Sequence, residues 1–501
     1  MFVIDAPRLI DVSVRHFTTR LPWLRALVLG ILLAISLTIA LILAHITPLN
    51  PNAPASLAPY NVATLVPFLQ IWTLLFVPYA IACALIFLSK PSRGRWRWIE
   101  IGLIMLGAVI LRVLFLPLPP NLSHDSWRYV WDARVFLHGY SPYVAIPDSP
   151  ALKPLRDFIY AYSRFRAEPS LYPPGAQYVY ILSYLIVPSS LYFLKFVFLL
   201  FDLTSCGALA ILLARKGLDP ARVLLYAWCP LPIVEFALQG HVDVLPITFT
   251  LLALLTARDT RWRGRVLTGF LIGMGTLTKI YPIVMLVAVV RLRDWKRDWL
   301  LIATCLLTII VGYLPFFIQG HGQIFGFFST YANEQGQNAG IVQLAFANLG
   351  HNMHATLQGK LTLEHLGAFV LLGGTALAIF ILRQSERISI EAGTLILFAL
   401  VLAVSSHVFP WYTTTLLPLI ALLLPTRGQR GPLLLWLARL LALGALWLFT
   451  AISILSYTEN WPLYYHAAYD LLEIELGLAA LLFLLSCFFA SRQKGTAYAK
   501  R

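Results

Sequence analysis

The amino-acid sequence predicts an all-α polytopic membrane protein. It forms one integral membrane domain over residues 1–501, with about 11–13 transmembrane helices and a structured first external loop. Three observations lead there. Hydrophobic residues make up 59% of the chain and charged residues only 12%, and the mean hydropathy is +0.75, outside the range of soluble globular domains. Apolar runs long enough to cross a bilayer recur from end to end, which leaves no room for a sizeable soluble core. The net charge of +15 comes from short clusters of Lys and Arg between apolar runs, the positive-inside pattern, so nucleic acid is not an expected partner.

The basic clusters lie at 15–25, 90–97, 215–222, 258–265, 291–297, 383–387, 427–430 and 492–501, and with both termini they are assigned to the cytoplasm. The turns between them, at 46–62, 239–243, 320–362, 407–411 and 457–468, hold almost no Lys or Arg and are assigned to the outside. Spans are then expected at 26–45, 64–88, 98–117, 191–214, 222–238, 244–257, 298–318, 363–382, 391–406, 412–425, 432–456 and 470–490. The first run is too long for a signal peptide and lacks a small-residue cleavage site, so it is expected to stay as an anchor. The apolar piece 176–188 would invert everything downstream if it crossed, and is expected to be a short or partly inserted helix. Segment 266–290 has basic residues at both ends and is interrupted by Lys279-Ile280-Tyr281-Pro282, which predicts a discontinuous or re-entrant hairpin. The five cysteines all sit in apolar stretches without pairing or ligand spacing and are expected to be core residues.

The external loop 118–175 is long, balanced in charge, and rich in aromatics and prolines, a composition that favours function over linkage. In it, His124-Asp125-Ser126-Trp127-Arg128-Tyr129-Val130-Trp131-Asp132 places Asp125, Arg128, Tyr129 and Asp132 on one helical face and the tryptophans opposite. The pattern predicts an amphipathic helix at the membrane surface. Two readings stay open for Asp125, a helix cap or a reactive carboxylate. Asp132 has a ready partner in Arg128 at i,i+4.

The stretch from Asp125 through Gly139-Tyr140-Ser141-Pro142-Tyr143, then Tyr172-Pro173-Pro174-Gly175, Gly240-His241-Val242-Asp243, Thr278-Lys279-Ile280-Tyr281-Pro282 and Phe409-Pro410-Trp411-Tyr412, resembles in its order the bacterial polyprenyl-phosphate-sugar-dependent glycosyltransferases of the GT-C superfamily, mostly mannosyltransferase-like. Ala133 departs from the Gly that many relatives carry after the Asp. The resemblance implies a GT-C-like helix bundle and an inverting transfer of a hexose, mannose above all, from a polyprenyl-phosphate donor. The acceptor would be a hydroxyl of a glycan, lipid or protein on the external or periplasmic face of the cell membrane. It implies Asp125 as the base. Phosphate leaves without a general acid, so one carboxylate and one or two cations suffice for that chemistry.

By position, Arg128, Arg134 and Lys279 are expected to bind the donor phosphate. Lys153 and Arg156 are weaker candidates with a surface role as the alternative. A lysine inside an apolar segment costs about 2.5–3.5 kcal/mol at the bilayer centre, so Lys279 should face a cavity or a partner. Asp243, His241, Tyr172, Trp411, Tyr412 and His407 are candidates for acceptor or sugar contact, against plainer roles as cap, turn or interfacial aromatic. Lys195 and Asp202, seven apart on one helix face, are expected to pair with each other. Metal-ligand clusters and nucleotide-binding glycine loops are absent from the sequence, and no cofactor is expected. A transporter or lipid flippase is the rival reading, and it leaves the long ordered loop without a purpose. A diphosphate-dependent ligase would place its large polar loop nearer the C-terminal half.

Overall fold

The computed structural model describes residues 22–47, 62–333, 363–425 and 433–458, with 340, 342 and 345 singly. The span expected at 470–490, Cys487 and most of the loop 320–362 lie outside the described residues. Among the described residues the chain is all helix and turn. Seven helices are long and apolar enough to cross a membrane, or eight with one bent pair.

The chain opens with three long helices, α1 (Pro22–Ile46), α2 (Val62–Leu88) and α3 (Arg95–Phe115). The loop that follows contains α4 (Asp125–Leu137) and leads to α5 (Pro174–Ile186), the short helix expected at 176–188. After α6 (Leu191–Arg215) comes the bent pair α7 (Pro220–Ala227) and α8 (Pro230–Leu238). Pro230 and Pro232 cannot continue the hydrogen-bond ladder, and the two halves meet at 50°. The next crossing, α9 (Val244–Thr256), has 13 residues, short of the roughly 20 that span a bilayer. The same shortness applies to α14 (Ile390–Ala403) and α15 (Pro410–Leu423), named below.

Segment 266–290 is discontinuous as expected. Helix α10 (Trp262–Thr278) stops at an extended Lys279, and a helical turn at Tyr281–Val284 leads into α11 (Met285–Val289). Both feet of this hairpin rest on one carboxylate. Asp298 pairs with Arg265 at 2.8 Å and accepts the backbone N–H of Arg291 at 2.7 Å. The chain therefore enters and leaves by the same end. Asp298 belongs to α12 (Trp295–Gln319), which packs along α10. The described residues then give α13 (Leu363–Gln384), α14, α15 and α16 (Leu433–Ile452).

The basic clusters converge at that end. Arg25 joins Glu100, Asp219 and the Lys90 carbonyl, and Lys216 and Arg258 share Glu391. Arg291 reaches Glu386. From this end α3 leads toward Asp125, the α7–α8 pair to the turn 239–243, α10 to Lys279 and α14 to the segment 407–412.

Two expectations give way. Helix α4 does not lie on a surface, since every residue from Asp125 to Val135 is buried. Its polar face meets α5, and its tryptophan face is covered by the rest of the loop, with Trp127 stacked on Tyr162 at 5.4 Å and Trp131 against Tyr160. Lys195 and Asp202 do not pair. Lys195 donates to the carbonyls of Phe115 and Leu118, and Asp202 binds Arg112 at 2.6 Å and the Tyr226 hydroxyl at 2.7 Å. A helix C-terminus offering bare carbonyls is a nearer partner for that ammonium than a carboxylate two turns away. The described cysteines are buried and unpaired.

Candidate active site

The site is assembled from chain segments that interrupt or end helices. Gln239, buried at the end of α8, accepts the backbone N–H groups of Asn121, Leu122 and Ser123 at 3.1, 2.9 and 3.3 Å, and donates to the Asn121 side chain at 2.6 Å. One amide thus fastens the start of the loop to the turn 239–243. Gly240 completes that turn with φ +73°, and a Cβ there would lie 3.2 Å from Ser126 and 3.1 Å from Lys195. The first turn of α4 can approach only because the position is glycine. On the other side, a Cβ at Gly175 would meet the Leu277 backbone at 2.9 Å, so the Tyr172-Pro173-Pro174 segment sits directly against the end of α10.

Asp125 is the first residue of α4. His124 holds the cap position, so the capping role is not what Asp125 performs. Its carboxyl is 8% exposed, and Oδ1 has no hydrogen-bond partner. Burial pushes this carboxyl above the ordinary carboxylate range, against the pull of Arg164, His124, Ser123 and Lys279. That unfilled oxygen can take a hydrogen bond from a group that enters.

Asp243 stands at the N-cap position of α9, but its side chain makes no capping hydrogen bond. It forms an ion pair with Lys279, whose ammonium also lies 3.3 Å from the centre of the Tyr412 ring. The lysine side chain is 19% exposed, so it faces an opening as well as a partner. Asp125, Asp243 and Lys279 are close enough that each acts electrostatically on the others.

Aromatic rings wall this cluster. His241 stacks on Trp411 at 3.8 Å, Trp411 on Phe409 at 4.6 Å, and Tyr172 meets Tyr129 edge-on at 4.8 Å. The Tyr412 hydroxyl lies 3.2 Å from that of Tyr331, whose carbonyl is 3.2 Å from His407 Nε2. His241 is held from behind by Glu235 at 2.9 Å, and Glu235 accepts from the Tyr457 hydroxyl at 3.1 Å. Among the described residues no group of three or more His, Cys, Asp or Glu side chains is arranged to hold a metal ion.

The structure does not bring every expected cation here. Arg128 donates to Asp132 and to the carbonyls of Arg164, Phe165 and Glu168, which commits it to holding the 164–168 turn. Arg134 is spent on Asp157, the Leu155 carbonyl, Tyr184 and Ser189. Arg156 binds the carbonyls of Pro147 and Ser149. Arg128 and Arg134, expected to bind the donor phosphate, thus have protein oxygens as partners in this structure. The cation that sequence reasoning missed is Arg164, exposed and near enough to act on Asp125, His124 and His241. Nothing in the local sequence separates it from Arg166. Its position follows from the grip of Arg128 on its carbonyl and from Phe165 at φ 52°.

Residues 171–406 match the family model of glycosyltransferase family 87. That segment holds Tyr172, His241, Asp243 and Lys279, with His407, Trp411 and Tyr412 just beyond it. The crystal structure of ArnT from Cupriavidus metallidurans bound to undecaprenyl phosphate is similar over 80% of this chain and 79% of that one, at 13% identity and a TM-score of 0.41. No curated protein matches. Over that segment the family match agrees with the resemblance carried by the ordered motifs, and seven of the described helices are long and apolar enough to cross a membrane.

Proposed function

We propose that this protein is a membrane glycosyltransferase that moves a hexose, mannose in the first instance, from a polyprenyl-phosphate donor to an acceptor hydroxyl on the external face of the membrane, with inversion. The observation that carries the reading is the buried Asp125 carboxyl with an unfilled Oδ1, set among Lys279, Arg164 and Asp243. The acceptor O–H gives its proton to Asp125 as its oxygen attacks the anomeric carbon. The bond from that carbon to the phosphate oxygen breaks, and polyprenyl phosphate departs with the electron pair. Lys279 and Arg164 stabilise the charge that builds on the phosphate. Because Lys279 is paired with Asp243 and 19% exposed, it can exchange that carboxylate for a phosphate oxygen without crossing apolar surface. Trp411, Tyr412 and Tyr172 supply stacking faces for the sugar or the first lipid units.

The test is transfer by purified protein in liposomes, with radiolabelled polyprenyl-phosphate mannose, glucose or arabinose and a panel of glycan, lipid and peptide acceptors. Asp125→Asn should fold and bind donor normally while transfer falls by about 10²–10⁴. Near-normal turnover would move the base to Asp243, since Asp132 is occupied by Arg128 and Gln177. For the orientation, Val144→Cys in a background without the native cysteines should react with an impermeant thiol reagent in intact cells. Reaction only after the membrane is opened would reverse it.

A further inference from the structure

At the end opposite the site, the feet of the α10–α11 hairpin and the turn between α13 and α14 enclose a cavity of about 440 Å³. Its lining carries Arg258, Arg265, Arg291, Arg383 and Arg387 against two carboxylates, Asp294 and Glu386. The five guanidinium groups do different things. Arg265 and Arg383 are buried walls, the first on Asp298 and the Ala257 carbonyl, the second on the carbonyls of Ala288 and Ile388. Arg258 and Arg291 stand at the rim, each leaning on one glutamate. Arg387 is exposed and forms no side-chain hydrogen bond or ion pair among the described residues.

We infer that this cavity binds a phosphate-bearing anion, the headgroup of an acidic phospholipid of that leaflet. Even with Asp298 and Glu391 pairing two of them, the five guanidinium groups outnumber the carboxylates around this space, and together they match a phosphodiester in charge and in fork geometry. Basic pockets between helices at this depth are where acidic headgroups lodge. The membrane level fits, because Trp262, Leu292, Trp295 and Trp299 are exposed beside the same feet, as aromatics at a bilayer interface are. The occupant bridges Arg258 and Arg291 of the hairpin to Arg387 of the α13–α14 turn. The residues concerned take no part in the proposed transfer, and the site stands whether or not that reading does.

The test uses the full chain in nanodiscs of phosphatidylcholine with increasing phosphatidylglycerol, followed by thermal unfolding and by native mass spectrometry for retained lipid. Phosphatidylglycerol should raise the unfolding temperature and leave one retained lipid. Arg258→Gln with Arg387→Gln should weaken that binding by about a hundredfold or more, the worth of two charge-assisted contacts. A control pair on the same end but outside the cavity, Arg93→Gln with Arg95→Gln, should leave it intact. Inorganic phosphate added to phosphatidylcholine discs separates the sources. A rise of the same size, lost in the cavity variant, supports the anion site with a soluble occupant. Equal losses in the cavity and control pairs, or no loss in the cavity pair, would overturn the proposal.

Discussion

Two ion pairs inside this bundle differ in how far they are sealed from their surroundings. Arg112 and Asp202 meet at 2.6 Å with side chains 0% and 1% exposed, and around them Tyr226 donates to the other carboxylate oxygen while the Ala227 carbonyl accepts from the guanidinium. Lys279 and Asp243 are 19% and 5% exposed, share their space with the Tyr412 ring, and lie beside Asp125, whose Oδ1 has no partner. The first pair ties α3, α6 and α7 together and faces nothing. The second opens on a cluster with unspent charge. Neither burial of a charge nor an unfilled hydrogen-bond valence separates the two pairs, since Arg112 Nη2 is also without a partner; what separates them is access, because a group that meets a substrate must also be reachable, as Lys279 is and Arg112 is not.

The comparison can be broken most readily at the sealed pair. Arg112→Ala leaves Asp202 uncompensated in the membrane interior and should cost about 3–5 kcal/mol, seen as a lower unfolding temperature and poor yield with normal turnover per folded molecule. Normal stability with lost turnover would make that pair functional instead. Lys279→Ala also leaves a carboxylate, Asp243, without its partner, but at an opening, so the loss of stability should be smaller, and the donor Michaelis constant should rise by the equivalent of about 1.5–3 kcal/mol. An unchanged donor dependence would leave the lysine as a structural partner of Asp243.

The smallest effect concerns proton uptake. Because burial raises the Asp125 carboxyl, and a base must be ionised to work, activity should fall as pH drops through that raised value, placing the acid limb of kcat/KM above the usual carboxylate range near pH 4. Arg164 lowers that carboxyl, so Arg164→Gln should move the limb to higher pH. A limb unmoved by the substitution would take Arg164 away from the base.

The sequence by itself determined the helices, their alternation and the interruption at Lys279, because a bilayer core tolerates only apolar helical segments and the positive-inside bias is written in local composition. It also singled out Asp125, Asp243, Lys279 and Trp411, which each stand where an apolar run begins or breaks. Only the tertiary structure decided which charges are spent. Arg128 and Lys195 found backbone carbonyls 36 or more residues away, which no periodicity encodes. Likewise, the burial of both faces of α4 depends on residues 158–162 folding back over its tryptophans. A hydrogen-bonding group takes the partner that folding brings nearest. That partner is set by how non-adjacent segments pack, which no local stretch of sequence specifies.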